Sequence, residues 1–179
     1  MANEHLSRFS QLMRNILKAS GRKVVTLHEE IQMLEEYLSL EALRFGESFT
    51  YSVSHDGNVD VYTLDVPPMI IQPFAENAVK HGLQHKEGCK SLSIHFSFDE
   101  AQSIITAVVA DNGVGRSASE AINKKRVGHH SFATSATSRR FEVLNSNAIQ
   151  KFAYHYTDTT DSNGLPAGTH VHITMPVED

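Results

Sequence analysis

The chain has 179 residues, 40% hydrophobic and 21% charged, with a formal net charge of −5 and eleven histidines. That is enough apolar material for one medium-sized domain with an appended element, and it lacks both the polarity of a disordered chain and the basic surplus of a nucleic-acid binder. No apolar run approaches the roughly 18 residues a membrane-spanning helix needs, no signal-peptide core is present, and a single cysteine, Cys89, excludes an internal disulfide and suits a reducing compartment.

Leu6, Phe9, Met13, Ile16 and Leu17 recur at helical spacing and Ser20-Gly21 supplies a stop, which predicts a first helix over about residues 3–20. Thr26-Leu-His-Glu29 has the form of a capping box and opens a second helix. Two apolar stripes run along it: Leu27, Ile31, Leu34, Leu38 and Phe45, then Met33, Tyr37, Leu40 and Leu43 or Arg44. A helix apolar on two sides is expected between two neighbours, here the main domain and either the first helix or a partner chain.

Residues 49–53 and 59–64 read as short strands joined by the His55-Asp-Gly-Asn58 turn in a hairpin. Pro67 and Pro68 then suit a helix that begins at about Met69 and runs to about 84. On it Ile70, Ile71, Phe74, Ala75 and Ala78 form an apolar stripe, while Asn77, Lys80, His81 and Gln84 share another face. Leu92, Ile94, Phe96 and Phe98 alternate with Ser91, Ser93, His95 and Ser97, the pattern of a half-buried strand. A second strand, 104–110, returns through 99–103 and ends in Asp111-Asn-Gly-Val-Gly115, whose glycines permit a close backbone approach.

Residues 116–130, polar and aperiodic, read as a mobile loop, followed by a helix best defined from Arg139 to Leu144, a strand over 152–157, a loop over 158–167 and a closing strand over 169–176. His129–His130 and His170/His172 are the only close histidine pairs, and neither has cysteine or carboxylate neighbours at metal-site spacing. Antiparallel strands with helices to one side predict an α+β, two-layer α/β sandwich.

Three polar strings now stand in order: Asn77-x-x-Lys80-His81, Asp111-x-Gly113-x-Gly115, and Gly168-Thr169 at the last strand. Each is weak alone, but together they resemble the ATP-binding domains of the GHKL superfamily, and most closely the kinase part of LytS-type sensor histidine kinases. The resemblance covers most of the chain. It implies a Bergerat-type fold, a mixed and mainly antiparallel sheet with helices on one face, preceded by two N-terminal helices. Residues 1–46 would be the end of a dimerisation helix plus a connecting helix, and 47–179 the ATP-binding catalytic domain.

The resemblance further implies ATP and Mg²⁺ as ligands. Asn77 would bind Mg²⁺ through its amide oxygen, adequate for a hard ion that keeps waters and phosphate oxygens; Lys80 would meet a phosphate, and His81 phosphate or nucleoside. Glu76 has two readings, an ion pair for Lys80 or a group that orients the chemistry. Asp111 would accept from the adenine amino group with Thr169 in support, and Gly113 and Gly115 would let backbone pass close to the nucleotide. Arg140, which falls where the family has an arginine helix after its lid, is a further nucleotide-binding residue that the resemblance implies. Hydrolytic members of the superfamily carry a water-activating glutamate four residues before the asparagine; here that position is Pro73.

Two departures stand out. The family's second glycine box reads Ser131-Phe-Ala-Thr134, and no Pro-His-Phe-Leu-Phe-Asn-like acceptor string occurs. The implied activity is therefore transfer of the γ-phosphoryl group to a histidine upstream of this fragment, in a cytoplasmic piece tied to a membrane only through missing upstream regions. Its implied partners are the upstream phosphoacceptor helix, in a homodimer, and a response regulator, with no nucleic acid. The alternatives are a catalytically weakened nucleotide-binding module, and a serine kinase like those among anti-sigma factors.

Overall fold

The computed structural model describes residues 2–124, 132–146 and 148–177. In chain order it runs α1 (Ala2–Ser20), β1 (Val25–Thr26), α2 (Leu27–Phe45), a short 3₁₀ turn (Gly46–Ser48), β2 (Phe49–His55), β3 (Asp65–Val66) and α3 (Gln72–Asn77). A π-helical stretch (Ala78–Leu83) continues α3, followed by β4 (Lys90–Asp99), β5 (Ile104–Asp111), α4 (Arg116–Lys124), α5 (Phe132–Asn145), β6 (Ala153–Thr160) and β7 (Pro166–Pro176).

Period-two alternation builds the main sheet. Its order is β2-β4-β5-β7-β6, with β2 parallel to β4 and every other pair antiparallel. Leu92, Ile94, Phe96, Ile105, Ala107, Val109, Val171, Ile173 and Met175 all point to one face and are buried there. The opposite face carries Ser93, His95 and the stacked rings of His155 and His172, 4.7 Å apart. Helical residues Phe74, Ala75, Val79 and Leu83 cover the apolar side. At its β6 edge Phe74, Phe141, Tyr154 and Tyr156 pack ring against ring. The architecture is the expected two-layer α/β sandwich, and its mixed, mainly antiparallel sheet is the one the family resemblance implies.

α2 is capped as its sequence requires: the Glu29 amide donates to Thr26 Oγ1 (3.2 Å) and the Thr26 amide to a Glu29 carboxylate oxygen (3.1 Å). Leu27, Leu34 and Leu38 sink into the sheet's core, and α1 packs on the other side through Leu12 and Ala19, helped by an Asn15–Glu36 hydrogen bond of 2.8 Å. The expected α1 stripe is rotated. Met13 and Leu17 stay 39% and 68% exposed, because the face that meets α2 runs through Leu12 and Ala19 instead.

Four further expectations are corrected. Residues 49–55 and 59–64 do not form a hairpin, since β2 pairs in parallel with β4, Val53 opposite Ile94. Residues 59–64 instead turn about Asp60, whose carbonyl accepts from Thr63 and Leu64. The carbonyls of Val61 and Leu64 then take the amides of His28 and Leu27, both at 2.8 Å, which the first turn of α2 leaves without intrahelical partners.

The helix expected from Met69 begins at Gln72, with Pro73 rather than Pro67 or Pro68 in its first turn. Met69 itself sits at φ +54°, which no helix accommodates. Residues 116–124 are helical rather than a loop, and the rest of that expected loop, including the His129–His130 pair, lies outside the described residues. α5 is helical from Phe132, well before Arg139.

Candidate functional site

The site forms where the π-helical stretch meets the end of β5. The carbonyl of Val79 receives the Gln84 amide at 2.9 Å, an i to i+5 bond that widens the helix by one residue. That extra residue brings the Gly82 backbone against Asp111 and Gly113. A Cβ on Gly82 would stand 2.8 Å from Asp111 Oδ1, and one on Gly113 would stand 2.5 Å from the Gly82 Cα. The Val114 amide donates to the Gly82 carbonyl (3.3 Å) and fastens the two segments together.

Asp111 closes β5 opposite Thr169 of β7. Its carboxylate is 8% exposed and accepts the Gly113 amide at 2.7 Å. Burial pushes this carboxyl up to about 6, against the pull of the Gly113 and Thr169 amides, with Asp158 adding to the rise and Lys86 opposing it. Gly168 passes so close that a Cβ there would lie 2.0 Å from the Asp111 carbonyl oxygen, and its φ of +141° is one that a side chain disfavours. Gly115 follows at φ +77° beside Pro166. The Asn112 side chain accepts from the Ser91 amide (2.9 Å) and donates to the Cys89 carbonyl (3.2 Å), anchoring the turn to β4.

The structure thus brings Asp111, Gly113, Gly115 and Thr169 together and joins them to the helical stretch that carries Asn77, Lys80 and His81. Asn77, the last residue of α3, is half-buried, and so is His81; Lys80 and Gln84 are exposed. Lys80 Nζ lies 2.7 Å from Glu76, which also accepts from Gln72 (3.2 Å). Burial pushes the His81 imidazole below its ordinary value, helped by His85 and Lys80. Among the described residues no group of three or more His, Cys, Asp or Glu could hold a metal ion.

Arg140 is placed differently. Its guanidinium donates to the carbonyls of Pro68 and of Met69 (3.2 Å), in the turn ahead of α3. Glu30 of α2 meets the same turn from the other side, accepting from the Met69 amide at 2.6 Å and the Ile71 amide at 3.1 Å. The variant glycine box at 131–134 falls outside the described side chains.

Sequence reasoning missed Gly82, Glu30 and Arg116. Arg116, one residue past Gly115, grips Asp158 with two bonds of 2.8 Å and lies over the Tyr156 ring. A glycine five residues past Asn77 was the available signal for Gly82. Glu30, adjacent to a cap glutamate, gave none.

A family model described as "Histidine kinase" matches residues 1–49. "Sensor protein LytS" of Staphylococcus saprophyticus is 31% identical over 175 residues, which is 98% of this chain and 28% of that relative. Among solved structures, the histidine kinase domain of the Erythrobacter litoralis blue-light activated histidine kinase superposes with a TM-score of 0.59 at 14% identity, over 97% of this chain and 80% of that one. Histidine kinase ThkA, solved in complex with the response regulator TrrA, gives a TM-score of 0.51 at 12% identity over 98% of this chain and 49% of ThkA. At those identities the structural likeness establishes the fold.

Proposed function

Because this chain belongs to the LytS-type sensor histidine kinases, we propose that it binds Mg·ATP and passes the γ-phosphoryl group to a histidine nitrogen. The observation that carries the reading is the cradle around Asp111: a buried carboxylate flanked by Gly82, Gly113 and Gly168, where a Cβ at any of the three would fill the space or collide with backbone. Such a cradle suits a flat base that offers an amino group. Asp111 would accept from it and Thr169 would flank the contact.

On the phosphate side, Asn77 offers one amide oxygen to Mg²⁺, enough for an ion that fills its shell with water and phosphate oxygens. Lys80 would exchange its exposed bond to Glu76 for a phosphate oxygen, which is inexpensive because surface ion pairs contribute only about 0–1 kcal/mol. Glu76, one residue before Asn77, holds Lys80 in reach until then. Bound Mg·ATP supplies the phosphoryl group and neutralises its charge, so positioning is what the protein must add. Pro73 puts an imino acid where hydrolytic relatives have a water-activating glutamate, which supports transfer over hydrolysis.

The 179 residues hold no Pro-His-Phe-Leu-Phe-Asn-like string. The acceptor histidine is therefore assigned to another segment, N-terminal to this one in the parent kinase. Residues 1–46 are read as the end of a dimerisation helix plus a connecting helix and 47–179 as the ATP-binding domain. The exposed Met13 and Leu17 on α1 support a homodimer contact there. The ThkA complex supports a response regulator as the partner that receives the phosphoryl group. No helix among the described residues is long and apolar enough to cross a membrane.

The chain spans 28% of its LytS relative, so the test supplies the missing part. An acceptor-histidine helix of a LytS-type kinase, mixed with this protein and γ-labelled ATP, is expected to acquire acid-labile, base-stable label. Label released only as inorganic phosphate contradicts the reading.

A further inference from the structure

The turn ahead of α3 is held by two charged side chains from two distant helices. Glu30, only 1% exposed, takes the amides of Met69 and Ile71, and Arg140 takes the carbonyls of Pro68 and Met69. Four backbone groups of one short turn are thereby satisfied by one carboxylate and one guanidinium. The turn needs that hold, because Met69 is locked at φ +54°, in the left-handed region that a non-glycine residue disfavours.

Glu30 depends on the turn in return. An uncompensated buried carboxylate is strongly unfavourable, so its two amide donors and the nearby Arg140 charge are what keep it there. Burial pushes its carboxyl up to about 7 while the amides and Arg140 pull it down. Ile70 and Ile71 drop into the core immediately after Met69, and α3 starts at Gln72. The helix that ends in Asn77 therefore leaves directly from this turn. The three elements joined here are the connecting helix, the start of the Asn77 helix and the helix that follows residues 125–131.

We propose that Glu30 and Arg140 are positioning residues: through the 68–71 turn they orient the Asn77 helix, and so couple α2 and α5 to nucleotide affinity. Neither residue touches the nucleotide. The affinity half of the proposal rests on the nucleotide-binding reading above; the coupling of Glu30, Arg140 and the turn does not.

The experiment measures amide hydrogen exchange over 69–83 in the ligand-free protein, and Mg·ADP affinity by calorimetry. The proteins are wild type, Glu30→Gln, Arg140→Met, Arg140→Lys, the Glu30→Gln/Arg140→Met double variant, and Leu34→Ala as a core control on α2. Glu30→Gln and Arg140→Met are each expected to speed exchange over 69–83 about tenfold and weaken Mg·ADP about tenfold, with the double variant no worse than either single. Arg140→Lys should recover most of the affinity. Leu34→Ala should lower Tm and leave affinity within about twofold.

Wild-type exchange over 69–83 in folded Glu30→Gln and Arg140→Met overturns the proposal. So do additive affinity losses, or an equal loss in Leu34→Ala. If Glu30→Gln fails to fold, Arg140→Met against Arg140→Lys decides by the same criteria. If wild type binds no Mg·ADP, the proposed function fails, while the exchange measurement still decides whether the clamp orders the Asn77 helix.

Discussion

Asp111 shows what a single buried carboxylate contributes. Under the proposed nucleotide reading, deleting its side chain is expected to leave the adenine amino group without its acceptor in a desolvated place, a loss of about 1–3 kcal/mol, or up to about a hundredfold in affinity. Asp111→Ala, titrated with Mg·ADP, is the check. Its pH dependence has a definite sign. The folded carboxyl is raised to about 6, above the unfolded value of about 4. The folded state thus holds the proton more tightly, and the stability this group contributes is fully present below about pH 4 and lost as pH rises through 6. Nucleotide affinity runs the other way, because the ionised carboxylate is the better acceptor. Wild type is therefore expected to lose affinity as pH falls from 7 to 5, and Asp111→Asn to show a much flatter profile.

Residues of this kind were legible in the sequence where their neighbours were local. Asp111 and Gly113 sit two apart in a string that forces a turn, so the close backbone approach there could be read from spacing. Glu30 could not. It lies beside Glu29, whose cap bond is local, and only the distant amides of Met69 and Ile71 distinguish a buried carboxylate from a solvated one.

The same division holds among elements. β4 and β5 were legible because alternation reports a half-buried face, and α2 because Thr26 and Glu29 cap each other three residues apart. Thr26→Ala is expected to lower stability by about 1 kcal/mol, checked by thermal or denaturant unfolding with no change in the folded state's circular dichroism. Residues 59–64 were misread because Val59, Val61 and Leu64 carry strand-like composition. The carbonyls of Val61 and Leu64 are in fact recruited by the open first turn of α2, a non-local demand. The π-helical stretch was illegible for a related reason. Its wider turn is fixed by Gly82 and Gly113 meeting backbone to backbone, and no helical periodicity records that contact.

At the scale of the molecule, the sheet presents its apolar face to a helical layer and α2 lies inside the same core as the sheet. Leu27, Leu34 and Leu38 of α2 are buried in the same core as the sheet, so the boundary proposed at residue 46 is one of sequence rather than of packing. α1 differs, meeting α2 on one side and leaving Leu17 68% exposed. Leu17→Glu is accordingly expected to leave Tm within about 2 °C, since an exposed substitution changes stability by only about 0.5 kcal/mol. If α1 carries the proposed homodimer contact, the substitution should reduce self-association in sedimentation, and unchanged self-association would remove α1 from that proposed contact.

In the proposed site the Asp111 cradle and the Asn77 helix bind one nucleotide between them. Titration calorimetry with Mg·ADP tests it most directly, using the folded wild type and Asn77→Ala, each with magnesium and with EDTA. Wild type is expected to give saturable heat, weakened at least tenfold by Asn77→Ala or by EDTA, with little further loss when the two are combined because both remove the same metal contact. No heat at millimolar ligand, or equal binding by wild type and Asn77→Ala, would contradict it.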